Sequence, residues 1–142
     1  MRKIAATLQS TFAAKDGRTY EMDELYTYAG NKHNDCWLIY AIEKRSRTVV
    51  DLVVGKRTTE NIKRVTDTIL MFLPKKIYTD KLNIYPALLD ISIHKAGRYI
   101  TNRIERLNLT LRTHLKRLNR KTICYSKKAD MFEACLKIYF WG

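Results

Sequence analysis

The stretch CWLIYAIEKRSRTVVDLVVG, residues 36–55, decides the fold of this chain. Its first part, residues 36–44, is a continuous apolar run, which predicts a buried strand. Its second part, residues 47–55, is dense in β-branched residues and predicts a further strand. The connection Lys44-Arg45-Ser46 is short, so the two strands are expected to form an antiparallel hairpin.

The segments on either side of this hairpin predict a strand and a helix. YEMDELYTYAG, residues 20–30, alternates, is rich in aromatic residues and leads into a Gly30-Asn31 turn, so it predicts the first strand. Thr58 or Thr59 is placed to cap a helix, and Pro74 ends it. The apolar stripe of that helix comprises Thr59, Ile62, Val65, Ile69 and Phe72.

The second half of the chain alternates between strands and helices. We predict a strand at residues 75–80, a short helix at 85–91, a strand at 92–95, a long helix at 99–118 and a final helix at 127–139. A strand, a helix and another strand imply parallel pairing through a right-handed crossover. The expected fold class is therefore α/β: a mixed five-stranded sheet, with three antiparallel strands and then parallel additions, flanked by helices. This order of elements is the ribonuclease H-like arrangement. The buried stripes are expected at Ile104, Leu107, Leu111, Leu115 and Leu118 in the long helix, and at Met131, Cys135 and Ile138 in the final helix.

The N-terminal residues differ in pattern from the rest. Ile4, Leu8 and Phe12 recur at helical spacing before an Asp16-Gly17 stop, so residues 1–18 predict a helix or connector. Residues 19–142 are then expected to form one domain. No segment approaches the roughly 18 apolar residues of a membrane span, so no membrane partner is expected. Three cysteines without CxxC spacing indicate buried apolar residues of a cytoplasmic protein rather than disulfides or a zinc ribbon.

The charge balance points to a polyanionic partner. The chain has 27 Lys and Arg residues against 14 Asp and Glu residues, a formal net charge of +13. The surplus is concentrated between Lys95 and Lys128, where eleven basic residues accompany one acid, Glu105. A solvated helix face normally mixes both signs of charge, so this segment predicts a surface that binds nucleic acid.

Three acids lack an easy surface explanation. Asp23 lies inside the first strand, Asp80 ends the fourth strand, and Glu105 lies on the most basic helix. The ends of neighbouring strands and a helix packed across the sheet are placed to bring the three together. Convergent carboxylates, together with DNA phosphate, suit one or two Mg²⁺ ions, with Mn²⁺ as a substitute.

Each acid also has an ordinary structural interpretation. A strand aspartate such as Asp23 is often solvated at an edge, and Asp80 at a strand end is often a turn former. Glu105 is also placed to pair with Arg112, or with its neighbours Arg103 and Arg106. The catalytic interpretation depends on the three acids occurring together in this order of elements.

At these residues the sequence resembles the insertion sequence one family of bacterial transposases, which carry an Asp-Asp-Glu triad. The resemblance runs from about Glu21 to the C-terminus. Matched residue by residue, the family's triad falls on Asp23, Asp80 and Glu105. The motifs that carry it are EMDE (21–24), YAGNK (28–32), WLIYA (37–41), GKRT (55–58), TDKLNIYPALL (79–89) and RIERLNLTLRTHLKRLNRK (103–121).

The resemblance implies a catalytic domain for metal-dependent cleavage at transposon ends, followed by attack of the freed 3′-hydroxyl on target DNA. Arg112 matches a basic family position on the helical face of Glu105, and Asn108 shares that face. The resemblance further implies a homo-oligomer on double-stranded DNA, nucleoid association in a bacterium, and a zinc-ribbon and helix-turn-helix region upstream. Together with the basic segment, it gives these expected DNA-binding residues: Arg103, Arg106, Asn108, Arg112, Lys116, Arg117, Arg120 and Lys121.

Two other functions share part of this pattern. A ribonuclease H-like nuclease or junction resolvase has the same fold, metal and substrate class, but the long basic helix block argues against it. A non-catalytic DNA-binding regulator derived from a transposase is the alternative from another class, and the three intact acids argue against a decayed copy. The sequence leaves open the element, its target preference, and whether the chain is a fragment or one of two joined reading frames.

Overall fold

The computed structural model describes residues 7–10, 12–13, 15–28, 30–31, 33–97, 99–115 and 128–142. Four of the expected DNA contacts lie outside these residues: Lys116, Arg117, Arg120 and Lys121. Ile4, Leu118 and Cys124 also lie outside them.

A mixed five-stranded sheet forms the centre of the molecule. Its order is β3-β2-β1-β4-β5; the β3–β2 and β2–β1 pairs are antiparallel, and β4 and β5 add parallel to β1. The predicted sheet and its pairing are therefore confirmed. The strands are β1 (Thr19–Tyr28), β2 (Asp35–Glu43), β3 (Val49–Gly55), β4 (Lys76–Thr79) and β5 (His94–Ala96).

The hairpin between β2 and β3 closes on a buried carboxylate. Glu43 accepts hydrogen bonds from the backbone N–H groups of Arg45 (3.1 Å) and Ser46 (2.7 Å). Arg47 then adopts a left-handed conformation, with φ of 60°. Residues 45–47 therefore belong to the turn, and the third strand begins at Val49, two residues later than predicted.

Helices cover both faces of the sheet. Thr58 caps α1, since its side chain accepts a hydrogen bond from the Asn61 N–H. One apolar cluster lies on the face covered by α1, where Ile62, Val65 and Ile69 are buried. The opposite cluster includes Ile104 and Leu111 and residues of the last helix. The helices are α1 (Thr59–Leu70), α2 (Tyr85–Leu88), α3 (Asn102–His114) and α4 (Ala129–Trp141).

Three of these helices are shorter than predicted. The helix α1 ends at Leu70, so Phe72 of the predicted stripe lies beyond it, and Thr59 of that stripe is exposed. The helix α2 ends at Leu88, and Ile91 is almost fully exposed. The helix α3 begins at Asn102 rather than Tyr99, because Tyr99 has a left-handed φ of 65° that a right-handed helix does not accommodate. The stripe of α3 is confirmed as far as the described residues reach: Ile104 and Leu111 are buried, and Leu107 and Leu115 pack against them.

The buried face predicted for α4 was wrong. Phe132, Ala134 and Leu136 are buried, whereas Ile138 is exposed and Met131 and Cys135 are only partly buried. The sequence ADMFEACLKIYFW is apolar on more than one side, so helical periodicity alone does not select the side that faces the sheet.

The N-terminal segment runs along the domain without a helix at residues 8–10 and 12–13. The Phe12 ring lies 6.2 Å from that of Tyr20 and 5.7 Å from that of Phe72. The Ser10 hydroxyl donates a hydrogen bond to the Val49 carbonyl. Within the described residues, none of the helices has the length and apolar composition needed to cross a membrane.

Candidate metal centre

The register between β1 and β4 brings two of the predicted acids side by side. Glu21 lies opposite Tyr78, so the same register carried two residues further sets Asp23 beside Asp80. Asp80 directly follows β4, at the carboxyl end of a parallel strand. Open α/β sheets commonly place ligand-binding side chains at such ends.

Three carboxylates meet at this edge of the sheet. Asp23, Glu24 and Asp80 each offer one oxygen, and the three oxygens lie within 4.8 Å of one another. Consecutive strand residues ordinarily point to opposite faces. Here β4 ends at Thr79 while β1 continues to Tyr28, so β4 does not flank β1 at Glu24. The absence of β4 there gives both neighbouring side chains access to Asp80.

Asp23 is held by a short chain of hydrogen bonds that passes through Asn108 of α3 to Tyr40 of β2. The Asn108 side-chain amide donates to the Asp23 carboxylate at 2.6 Å, and the Tyr40 hydroxyl donates to the amide oxygen of Asn108. The backbone N–H of Glu24 also donates to Asp23, at 2.9 Å. Tyr40 is fully buried, so this chain connects the acid edge to the core beneath α3.

Glu24 is held by a different element. The Tyr85 hydroxyl, at the start of α2, donates a hydrogen bond to the Glu24 carboxylate. Tyr85 is itself fully buried in the cluster on the α1 face of the sheet. The two neighbouring carboxylates are therefore fixed from opposite faces of the sheet.

The environment of the cluster disfavours its negative charges. Burial, followed by the charges of Asp80 and Glu105, raises the pKa of Asp23 to about 6. Burial, followed by the charges of Asp80 and Asp23, raises the pKa of Glu24 to about 7, against the hydrogen bond from Tyr85. A bound cation would relieve this repulsion. Carboxylate oxygens are hard donors of the kind that Mg²⁺ prefers, so the side chains fit a divalent ion.

The third predicted acid, Glu105, does not belong to the group of three. It lies exposed in the first turn of α3 and accepts a hydrogen bond from the Thr101 hydroxyl at 3.0 Å. Its charge nevertheless raises the pKa values of Asp23 and Glu21, so it lies on the same side of the sheet as Asp23.

The described basic residues of α3 have different environments. Arg103 is partly buried; its guanidinium donates to the Lys44 carbonyl, and its backbone N–H donates to Glu21 at 3.3 Å. Arg106 is exposed, and Arg112 is partly buried in the last turn. Arg103 therefore joins α3 to the β2–β3 hairpin as well as contributing charge.

Sequence reasoning missed Glu24 and Tyr85. Glu24 follows Asp23 directly, and strand alternation places its side chain on the opposite face, so the sequence alone gives no reason to group the two. The available signal was the difference in length between TYEMDELYTY and KIYT, because a long strand beside a short one has an unpaired edge.

The fold defines the class of protein. A chain of the simian T-cell lymphotropic virus intasome in complex with PP2A regulatory subunit B56 gamma superposes with a TM-score of 0.58 at 17% identity, covering 89% of this chain and 50% of that chain. The HTLV-2 integrase catalytic core domain in complex with magnesium superposes with a TM-score of 0.55 at 14% identity, covering 88% of this chain and 84% of that one. The fold is ribonuclease H-like, as in retroviral integrase catalytic cores.

The sequence defines the family. Residues 19–141 match the model of the IS1 transposase. The insertion element IS1 protein InsB of Shigella flexneri is 37% identical over 119 residues, covering 84% of this chain and 91% of that protein. The insertion element IS1 4 protein InsB of Escherichia coli (strain K12) is 36% identical over 119 residues, covering 84% and 71% respectively. The chain belongs to the IS1 transposase family.

Proposed function

We propose that residues 19–142 form the catalytic domain of a DDE transposase, which cleaves DNA strands at transposon ends and transfers the freed 3′-hydroxyl to target DNA. The observation that carries this proposal is the carboxylate group of Asp23, Glu24 and Asp80 at the carboxyl end of β4, within 4.8 Å of one another. It is supported by membership of the IS1 transposase family.

Asp23, Asp80 and Glu105 are the proposed metal ligands, and Glu24 supplies a further oxygen. Divalent ions of the Mg²⁺ class, when bound, activate the attacking oxygen and stabilise the leaving one. Asn108 orients Asp23 through its 2.6 Å hydrogen bond, so this predicted DNA contact also has a positioning role. Glu105 would hold the ion with the two aspartates after giving up its hydrogen bond with Thr101.

Double-stranded DNA is the proposed partner, bound along α3 and the basic residues that follow it. Exposed Arg106 and the end-of-helix Arg112 contribute phosphate contacts, which hold a duplex without selecting its sequence. We further propose that the protein acts as a homo-oligomer on the bacterial nucleoid and finds transposon ends through an upstream recognition region.

The test is a cleavage and strand-transfer assay with the complete transposase, on DNA that bears the element's ends. Asp80→Asn keeps the size of the side chain and removes the charge that holds the metal. We expect it to reduce Mg²⁺-dependent cleavage by about 10³-fold or more while DNA binding persists. The control is Asp67→Asn, an exposed aspartate on α1 that pairs with Lys63.

Undiminished cleavage by Asp80→Asn would mean that the acids are wrongly assigned. An unmutated protein that binds the ends in the presence of Mg²⁺ or Mn²⁺ but never cuts them would favour the DNA-binding regulator instead.

A further inference from the structure

A groove on the surface continues the acid-bearing face of β1 toward its N-terminal end. Its volume is about 700 Å³, and Arg18, Lys44, Arg45 and Arg103 are among the residues that line it. Lys44 donates its backbone N–H to Thr19, four residues before Asp23 on the same strand. At about 3.3 Å per residue the groove begins roughly 13 Å from Asp23. We call this surface the hairpin groove.

The acid that lines the hairpin groove is already engaged by the protein. Glu43 is buried, accepts backbone hydrogen bonds from Arg45 and Ser46, and lies 3.9 Å from the Arg18 guanidinium. Because Glu43 offers almost no surface to solvent, the cations dominate the exposed charge of the groove. A polyanion is therefore the class of ligand that the groove fits.

A smaller recess adjoins the groove and adds an aromatic surface. Its volume is about 260 Å³, and it shares Lys44 and Arg103 with the groove. Lys95 and Tyr99 also line it, and Tyr99 is 78% exposed. The acid in its lining, Glu21, is fully buried and accepts the Arg103 N–H at 3.3 Å. The Lys44 ammonium covers the neighbouring Tyr78 ring at 4.3 Å from its centroid. Of the two tyrosines that line the recess, Tyr99 is thus the one whose ring is left for a ligand. We call this surface the Tyr99 recess.

Tyr99 has an exposed ring and a backbone conformation that is unfavourable for a bulky residue. Its φ of 65° is a left-handed conformation that bulky residues rarely adopt, and it precedes the start of α3 by three residues. An exposed aromatic ring among cations is the arrangement that stacks the base of an unpaired nucleotide while the cations bind its phosphates. In a paired duplex the base faces are stacked on one another, so a duplex would leave this ring unused.

We infer that the hairpin groove and the Tyr99 recess bind an unpaired DNA strand that leads to or from the acid cluster. A base stacks on Tyr99, and Lys44, Arg45 and Arg103 contact the phosphates. This inference rests on the proposal that the chain acts on DNA, and it names the strand state that this surface selects.

The test is photocrosslinking of a single-stranded oligonucleotide containing iodouracil, carried out in EDTA so that no cleavage occurs. The crosslink is expected on Tyr99 and not on Tyr139, an exposed tyrosine of α4. Tyr99→Phe keeps the ring and should keep single-strand affinity. Tyr99→Asn tolerates the left-handed backbone but removes the ring, and should weaken single-strand binding about tenfold while changing duplex binding little.

The charges are tested separately by salt dependence. Arg45→Ala should reduce the slope of log affinity against log salt by about 0.7 for a single strand. The matched control is Lys63→Ala, a basic residue on α1 that pairs with Asp67 and lies outside the groove. Wild-type single-strand affinity in Tyr99→Asn, a crosslink at another residue, or equal losses for duplex and single strand would overturn the inference.

These outcomes are distinct from a failure of the proposed function. Asp80→Asn should crosslink like the unmutated chain in EDTA, because Asp80 is not part of either surface. Normal binding by Tyr99→Asn together with inactive Asp80→Asn would reject the groove and keep the transposase. Crosslinking at Tyr99 together with full cleavage by Asp80→Asn would keep the groove and reject the acid assignment.

Discussion

The carboxylates of Asp23 and Glu24 are consecutive in β1, and each is placed by a different neighbouring side chain. Alternation sends the two side chains to opposite faces, where Asn108 holds one and Tyr85 holds the other. Both reach Asp80 because β4 ends at Thr79. The cluster concentrates negative charge in a partly buried place, which has measurable consequences for the metal-free protein.

Glu24→Gln should stabilise the metal-free protein at pH 8 and have little effect near pH 4. The pKa of Glu24 is raised to about 7 in the folded chain, from an ordinary value of 4.5. Between these values the unfolded chain releases a proton that the folded chain keeps, so this group lowers stability as pH rises. The gain at pH 8 is expected to be about 1–3 kcal/mol.

Urea unfolding in EDTA at both pH values measures this gain. The amide side chain of the Glu24→Gln variant retains an oxygen that accepts the Tyr85 hydrogen bond, so packing is conserved in the comparison. A gain of the same size at pH 4 and pH 8 would show that charge repulsion at Glu24 is not its cause.

Tyr85→Phe should weaken Mn²⁺ binding about tenfold, because the groups that orient a ligand carboxylate commonly contribute this much to metal affinity. Isothermal titration with Mn²⁺ measures the change. The matched control is Tyr26→Phe, whose hydroxyl contacts exposed Asp35 near the far end of β1. Equal Mn²⁺ affinity in Tyr85→Phe and the unmutated chain would remove Glu24 from the donor set.

At the scale of elements, α3 connects the core, the acids and the basic surface. Its buried residues Ile104 and Leu111 pack on the sheet. In its first turn, the Arg103 N–H donates a hydrogen bond to the Glu21 carboxylate of β1. The Thr101 hydroxyl donates a hydrogen bond to the Glu105 carboxylate and does not accept one from a backbone N–H of the helix. The position of α3 therefore sets the position of Asn108 over Asp23.

The contact of α3 with Asp23 should show thermodynamic coupling. Asn108→Ala leaves the buried Tyr40 hydroxyl with only the Ile104 carbonyl at 3.4 Å, and should lower the free energy of unfolding by about 1–3 kcal/mol. Tyr40→Phe removes the same bond from the other side. The double variant should lose less than the sum of the single variants, by about 0.5 kcal/mol or more in urea unfolding. Strictly additive losses would contradict the hydrogen-bond chain.

Sequence patterns predicted most elements because their signals are local. The stripe of α3 and the hairpin around Lys44-Arg45-Ser46 follow from spacing and turn length. The buried side of α4 does not, since that helix is apolar on several sides and its orientation depends on tertiary packing. The first residue of α3 was predicted wrongly because a tyrosine gives no sequence signal for the left-handed backbone that Tyr99 adopts.

Part of the candidate site could also be predicted from the sequence. Asp23 and Asp80 follow from strand order, because adjacent parallel strands bring their ends together. The inclusion of Glu24 depends on where β4 stops relative to β1. The place of Lys44 and Arg45 in the hairpin groove depends on where the hairpin lies in space. These are properties of the assembled sheet and not of any one segment.

At the scale of the whole molecule, a chain of net charge +13 carries a compact group of acids. The cations attract a polyanion from solution, while the acids would repel its phosphates unless a cation lies between them. A divalent ion at the acid cluster would resolve this conflict, and its location is the central claim of the account.

Anomalous diffraction from crystals of the chain grown with Mn²⁺ tests that claim most directly. The account predicts a peak at about 2.1 Å, a typical distance for a small divalent ion, from carboxylate oxygens of both Asp23 and Asp80, and loss of the peak in Asp80→Asn. Peaks only at other acids, or an unchanged peak in Asp80→Asn, would contradict the assignment of the metal centre.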